Sequence, residues 1–283
     1  MQRTPAAALA PLVECLWSLA GARASVPDAA LAHEHRVFPD GCVELIYHAG
    51  APALWSPSPD RWLEQPRLFV VGQITRPFGF RATNALHSIG VRFRPGGACA
   101  FLGDPLDALT DRTVALATLW GEAGERLSNE LRCESELEPL WTRLESALAA
   151  RIANATRARV PVAAAVDRLL ATRGGESIEA LAAHVGWSVR QLERAFLRQV
   201  GVTPKVLART IRFQSILASL PSNGRIDWAG LAWDCGFADQ AHLIREFRRF
   251  TGATPVQIGD PELELARRFV SDDRLRAYFN PPC

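Results

Sequence analysis

The chain has 283 residues, 48% of them hydrophobic, enough to bury one large core or two modest ones, and two domains is the expected count. Its 32 basic and 30 acidic residues leave a net charge of only +2, so the overall balance gives no sign of a polyanion partner. Six widely spaced cysteines without metal-ligand spacing read as buried reduced thiols, and no stretch approaches a signal peptide or the ~20 apolar residues of a membrane span, so a cytoplasmic location is expected.

Charge is uneven along the chain. Residues 1–150 hold 13 basic and 17 acidic side chains, whereas residues 151–260 hold 15 and 9. From Val37 to Arg94 the pattern is strand-like. Cys42 to His48 follows the turn signal Pro39-Asp40-Gly41, Leu68 to Val71 is a short apolar run, and Ile89, Val91 and Phe93 alternate with Gly90 and Arg92. His33-Glu34-His35 resembles the opening of a metal site on a small β-barrel, with Glu44 and His87 as further ligands. Glu44 is badly spaced for that role, so solvated or capping histidines are expected and no metal or other cofactor. Trp17, Trp55, Trp62, Phe69, Phe78 and Phe80 would line an apolar effector pocket or pack as core.

Pro95-Gly96-Gly97 closes the β-rich region, and helical periodicity follows. Leu137, Leu140, Trp141, Leu144, Leu148 and Ile152 form one stripe, which suits either a homodimer seam or packing on the chain's own β-domain. The polar, Arg-rich stretch before Pro161 marks the boundary. The expected organisation is a β-rich sensing or oligomerisation domain with trailing helices over 1–152, a linker over 153–160, a helical domain over 161–260 and a tail over 261–283.

The helical domain contains a duplication. Leu181-Ala182-Ala183-His184-Val185-Gly186 is matched by Leu231-Ala232-Trp233-Asp234-Cys235-Gly236. After a one-residue insertion, Leu192, Arg194, Phe196, Gly201, Thr203 and Pro204 correspond to Leu243, Arg245, Phe247, Gly252, Thr254 and Pro255. Each copy has the punctuation of two short helices joined by a tight turn. Ser177 and Asp227 cap the first helices, Gly186 and Gly236 make the turns, and Ser188, in a capping box with Gln191, and Asp239 cap the second helices. Thr203-Pro204 starts a helix to about Leu220 that joins the units, and Thr254-Pro255 signals another start.

With Leu192, Phe196 and Val200 inward, the first unit's second helix turns Val189, Arg190, Glu193, Arg194 and Leu197 outward. The second unit turns out Gln240, Ala241, His242, Ile244 and Arg245. Arg suits guanine, Gln suits adenine, and apolar side chains suit the thymine methyl in a major groove, with Ser188, Arg198, Lys205, Arg209, Arg248 and Arg249 near for the DNA backbone.

Gly186-Trp187-Ser188 through Phe196, and Gly236-Phe237 through Pro255, resemble the DNA-binding module of the AraC/XylS family of transcription regulators. The resemblance spans about residues 161–260. It implies a sequence-specific regulator of double-stranded DNA that is not an enzyme, with Arg190, Glu193, Arg194, Gln240, His242 and Arg245 at base-facing positions. Glu193 would need a cytosine N4 donor, or it would orient Arg190 or Arg194. Activation would follow from contact with RNA polymerase and repression from occluding it. Phe38 to Ile46 and Val91 to Gly97 are more weakly similar to an N-terminal domain of uncertain function attached to some family members. That similarity implies a multidomain α+β chain in which a β-barrel-like (cupin-like) domain responds to a small-molecule effector. The alternative is a β-barrel ligand-binding protein or metal-dependent enzyme whose helical module mediates protein contacts; outward Arg, Gln and His favour the regulator.

Overall fold

The computed structural model describes residues 1–20, 34–58, 61–82, 86–103, 105–152, 160–220, 226–255 and 257. His33, the stretch 153–159 of the expected linker and the tail 261–283 lie outside the described residues.

Among the described residues ten strands form two antiparallel sheets. The larger has the order β1 (Gln2–Arg3), β2 (Val13–Ala20), β9 (His87–Phe93), β4 (Glu44–His48), β7 (Leu68–Val71), β10 (Thr113–Ala115). The smaller runs β3 (His35–Val37), β8 (Phe78–Arg81), β5 (Leu54–Ser58), β6 (Arg61–Glu64). This is the form that the β-barrel-like expectation takes.

β9 is central because it is buried almost along its whole length, and it pairs β2 on one side and β4 on the other. Gly90 serves that packing directly: the Trp17 indole lies over it, and a Cβ there would sit 2.2 Å from Trp17 Cε2. The sheets are bridged by His48, which is buried at the end of β4. Its Nε2 donates to Gln65 Oε1 just beyond β6 at 3.1 Å, so Nδ1 accepts from the Ser88 hydroxyl of β9 at 2.8 Å. Burial holds the His48 pKa below its ordinary value, which suits this neutral role.

Short helices α1 (Cys99–Leu102) and α2 (Leu116–Trp120) lead to α3 (Glu122–Arg132) and α4 (Leu137–Ile152). On α4 the stripe Leu140, Trp141, Leu144 and Leu148 is buried in the same core as Val13, Leu45, Val91 and Phe93. Packing on the chain's own β-domain therefore occupies the face that could have been a dimer seam.

The helical domain comprises α5 (Val160–Ala171), α6 (Ile178–His184), α7 (Val189–Val200), α8 (Pro204–Ser219), α9 (Trp228–Asp234) and α10 (Gln240–Thr251). Its core gathers Leu181, Leu192, Phe196, Ile211, Phe213, Leu243 and Phe247. Phe38 of the β-domain joins this second core and meets the Phe213 ring edge-on at 6.3 Å. α8 is buried over most of its surface, because both repeat units pack against it. The Thr254 amide and hydroxyl donate to Gln257 Oε1 at 3.0 and 2.9 Å, and the helix expected to start at Thr254-Pro255 falls on residues outside those described.

Candidate nucleic-acid interface

Each repeat unit is built by local signals. In the first, the Ser177 hydroxyl accepts from the Ala180 amide and starts α6; Gly186, with φ of +70°, makes the turn. Ser188 and Gln191 then close a reciprocal capping box at the head of α7. In the second unit Asp227 accepts from the Ala229 and Gly230 amides, Gly236 repeats the φ of +70°, and Asp239 accepts from the His242 amide at 2.6 Å. A left-handed glycine ends both second helices, Gly201 with φ of +95° and Gly252 with φ of +77°.

Burial of Leu192, Phe196 and Val200 on α7, and of Leu243, Phe247 and Phe250 on α10, decides what the opposite faces show. Arg190, Glu193 and Arg194 are exposed on α7, and Gln240 and Arg245 are exposed on α10. His242 is half-buried, with its ring edge-on to Phe237 at 5.3 Å. Val189 and Ile244, expected outward, pack partly against the helical core.

Among the residues expected at the DNA backbone, Ser188, Arg198, Lys205, Arg248 and Arg249 are exposed. Arg198, Arg248 and Arg249 lie in the last turns of their helices, where positive charge also complements the helix dipole. Arg209 differs. It is half-buried on α8, and its Nε and Nη2 each donate to a Glu246 carboxylate oxygen of α10 at 2.6 Å. Burial works against the Glu246 charge, but the Arg209 hydrogen bonds outweigh it and hold that carboxyl below its ordinary range. Arg209 therefore braces the second unit against the connecting helix, a role invisible in sequence because its partner lies 37 residues away.

The metal reading of the β-domain meets a different arrangement. Glu44 lies opposite Arg92 in the β4–β9 register, and its carboxylate accepts from the buried guanidinium at 2.8 Å. His35 lies on the smaller sheet and His87 on the larger one. Among the described residues no group of three or more His, Cys, Asp or Glu is arranged to hold a metal ion. The cleft beside Trp55 and Phe78 measures about 10 Å³, no more than one water needs, and these two half-buried rings meet edge-on at 6.1 Å. Trp62 packs under the Arg81 guanidinium at 4.3 Å.

Comparisons with known proteins agree with this division. The model of a helix-turn-helix domain matches residues 181–259, and that of a domain of unknown function, DUF6597, matches residues 1–115. No curated protein matches the chain. Similar solved structures include an apo ToxT variant from Vibrio cholerae strain SCE256, 11% identical, covering 86% of this chain and 95% of that one, with a TM-score of 0.42. Another is ToxT from Vibrio cholerae O395 bound to (E)-4-(8-methylnaphthalen-1-yl)but-3-enoic acid, 12% identical, covering 89% and 99%, with a TM-score of 0.45.

Proposed function

We propose that the chain is a transcription regulator of the AraC/XylS type that reads one promoter site with both helix-turn-helix units and responds to a small-molecule effector through its N-terminal domain. The observation that carries this reading is the equivalence of the two outward faces. Arg194 and Arg245 stand at matching repeat positions, both exposed, each one turn along a second helix whose opposite side is buried. Around them the units differ: Arg190 and Glu193 flank the first arginine, Gln240 and His242 the second. Each set has the donors and acceptors to read base edges.

Ser188, Arg198, Lys205, Arg248 and Arg249 would contact phosphates and set the register without reading sequence. The connecting helix α8 has 16 residues, about 24 Å at the usual rise, and with the widths of the flanking helices it supports a spacing near one ~34 Å turn of DNA. Contact with RNA polymerase would make the protein an activator, and occlusion of the promoter a repressor. No helix among the described residues is long and apolar enough to cross a membrane, and a regulator of DNA belongs with the DNA in the cytoplasm. We assign it no catalytic step.

The test is selection of bound sequences from a random duplex library, followed by a salt series on the best site. A preferred site with two short elements about a helical turn apart, and affinity falling steeply with salt, is expected. Changing Arg194 and Arg245 together to Ala should weaken binding by roughly a hundredfold or more at about 1–3 kcal/mol per lost base contact, with the fold intact by circular dichroism. Unchanged affinity would remove the assignment.

A further inference from the structure

The β-domain touches the helical domain at equivalent points of the two repeats. At the end of α7, the Thr110 hydroxyl donates to the Gly201 carbonyl at 2.6 Å, and the Leu106 carbonyl and the Gln73 side chain close around the same glycine. At the end of α10, Arg36 Nη1 reaches the Thr251 carbonyl in a long 3.5 Å hydrogen bond, and Pro77 faces Gly252. Gly201 and Gly252 correspond in the duplication.

Between these points the loop 38–41 grips the connecting helix. Gln214 Nε2 donates to the Pro39 carbonyl at 2.5 Å, Phe38 meets Phe213, and Gly41 lies so close to Leu207 that a Cβ would come within 3.1 Å of its methyl. The loop is itself anchored. Asp40 pairs with the buried Arg92 at 2.7 Å and accepts from the Cys42 amide at 2.9 Å.

All three contacts engage buried faces or C-terminal caps, whereas Arg190, Arg194, Gln240 and Arg245 stay exposed. From this geometry we infer that the N-terminal domain is a clamp that fixes the two DNA-reading helices relative to each other, and so sets the spacing of the DNA elements that one chain accepts. A second helix held at its cap by a separate rigid body cannot rotate freely about α8. Two helices held by the same body keep one separation. The clamp leaves the reading faces uncovered, so it tunes geometry and does not mask the DNA surface.

The inference rests on the DNA-binding reading, and the experiment separates the two. The triple variant Arg36→Gln, Thr110→Val, Gln214→Ala removes the three polar links and leaves both hydrophobic cores in place. Wild type and variant are titrated with duplexes in which the two selected elements are separated by one base pair fewer or more than the preferred distance, and with duplexes carrying one element alone. The clamp predicts that a wild-type preference of about tenfold between adjacent spacings falls to under about twofold in the variant, as expected when several hydrogen-bonded constraints are lost, while single-element affinity is kept.

An unchanged spacing profile would overturn the clamp. So would an equal loss of affinity for single elements, because the contacts would then serve to fold each unit. If wild type selects no site, the DNA reading fails by itself, and the clamp is decided on the free protein by amide hydrogen exchange. Faster exchange in the last turns of both α7 and α10 in the variant supports it, and no change in either turn defeats it.

Discussion

Arg92 is the residue whose surroundings departed furthest from what its neighbours in sequence announce. It is almost fully buried on β9, with Glu14, Asp40 and Glu44 all within ion-pair distance, so one guanidinium faces three carboxylates. Burial, followed by the neighbouring Asp40 and Glu14 charges, pushes the Glu44 carboxyl up to about 7, against the pull of Arg92. The folded chain thus binds a proton at Glu44 more tightly than the unfolded chain, whose carboxyl titrates near 4.5. Between those values stability falls as pH rises, because ionising Glu44 in the fold is disfavoured. Burial also raises the Cys42 thiol, so that group stays protonated beside the cluster. Glu44→Gln should therefore gain on wild type by at least about 1 kcal/mol between pH 5 and pH 8, read from urea midpoints at the two pH values. A difference independent of pH would mean that Glu44 stays ionised throughout. Glu44 was a badly spaced candidate metal ligand in the sequence; strand register brings it opposite Arg92 from 48 positions away.

Among the elements, the helices of the C-terminal domain were legible almost residue by residue, since caps and turn glycines are local chemistry. The start of α7 at Ser188 and the run of α8 from Pro204 follow from hydrogen bonds within three residues. The short strands β1, β3 and β6 were not legible, because two to four residues carry no usable alternation and only their pairing partners make them strands. Gly90 illustrates a sequence feature whose reason is tertiary. It read as one member of an alternating strand, yet its lack of a side chain is what lets Trp17 lie across β9. Gly90→Ala should cost about 1–3 kcal/mol through overpacking, measured by thermal or urea unfolding and accompanied by a change in Trp fluorescence. A neutral result would show that the Trp17 ring moves aside freely.

For the whole molecule, the proposed function makes the duplicated chain a two-headed reader. Its two heads share Arg194 and Arg245 but differ at the surrounding positions. A site read by one such chain should be asymmetric, with distinct elements that cannot be exchanged. Inverting one selected element while keeping its distance from the other should weaken binding by roughly tenfold or more, at about 1–3 kcal/mol per mismatched base pair. Equal binding to an inverted repeat would indicate instead two copies reading matching half-sites. The stripe on α4 offers no support for such a pair, since Leu140, Trp141, Leu144 and Leu148 are spent on the chain's own core.

What the sequence determined by itself is the helix-turn-helix module: the repeat, its caps, its turns and most of the residues on its outer faces, all set by contacts within a helical turn or two. Only the tertiary structure decided the rest. Arg209 bonds Glu246 instead of standing free for a phosphate, Arg92 gathers three carboxylates, and Thr110, Pro39 and Arg36 reach Gly201, Gln214 and Thr251 across 91, 175 and 215 positions. Pairings of that separation leave no periodic mark on the chain, because each depends on how two independently patterned domains come to rest against each other.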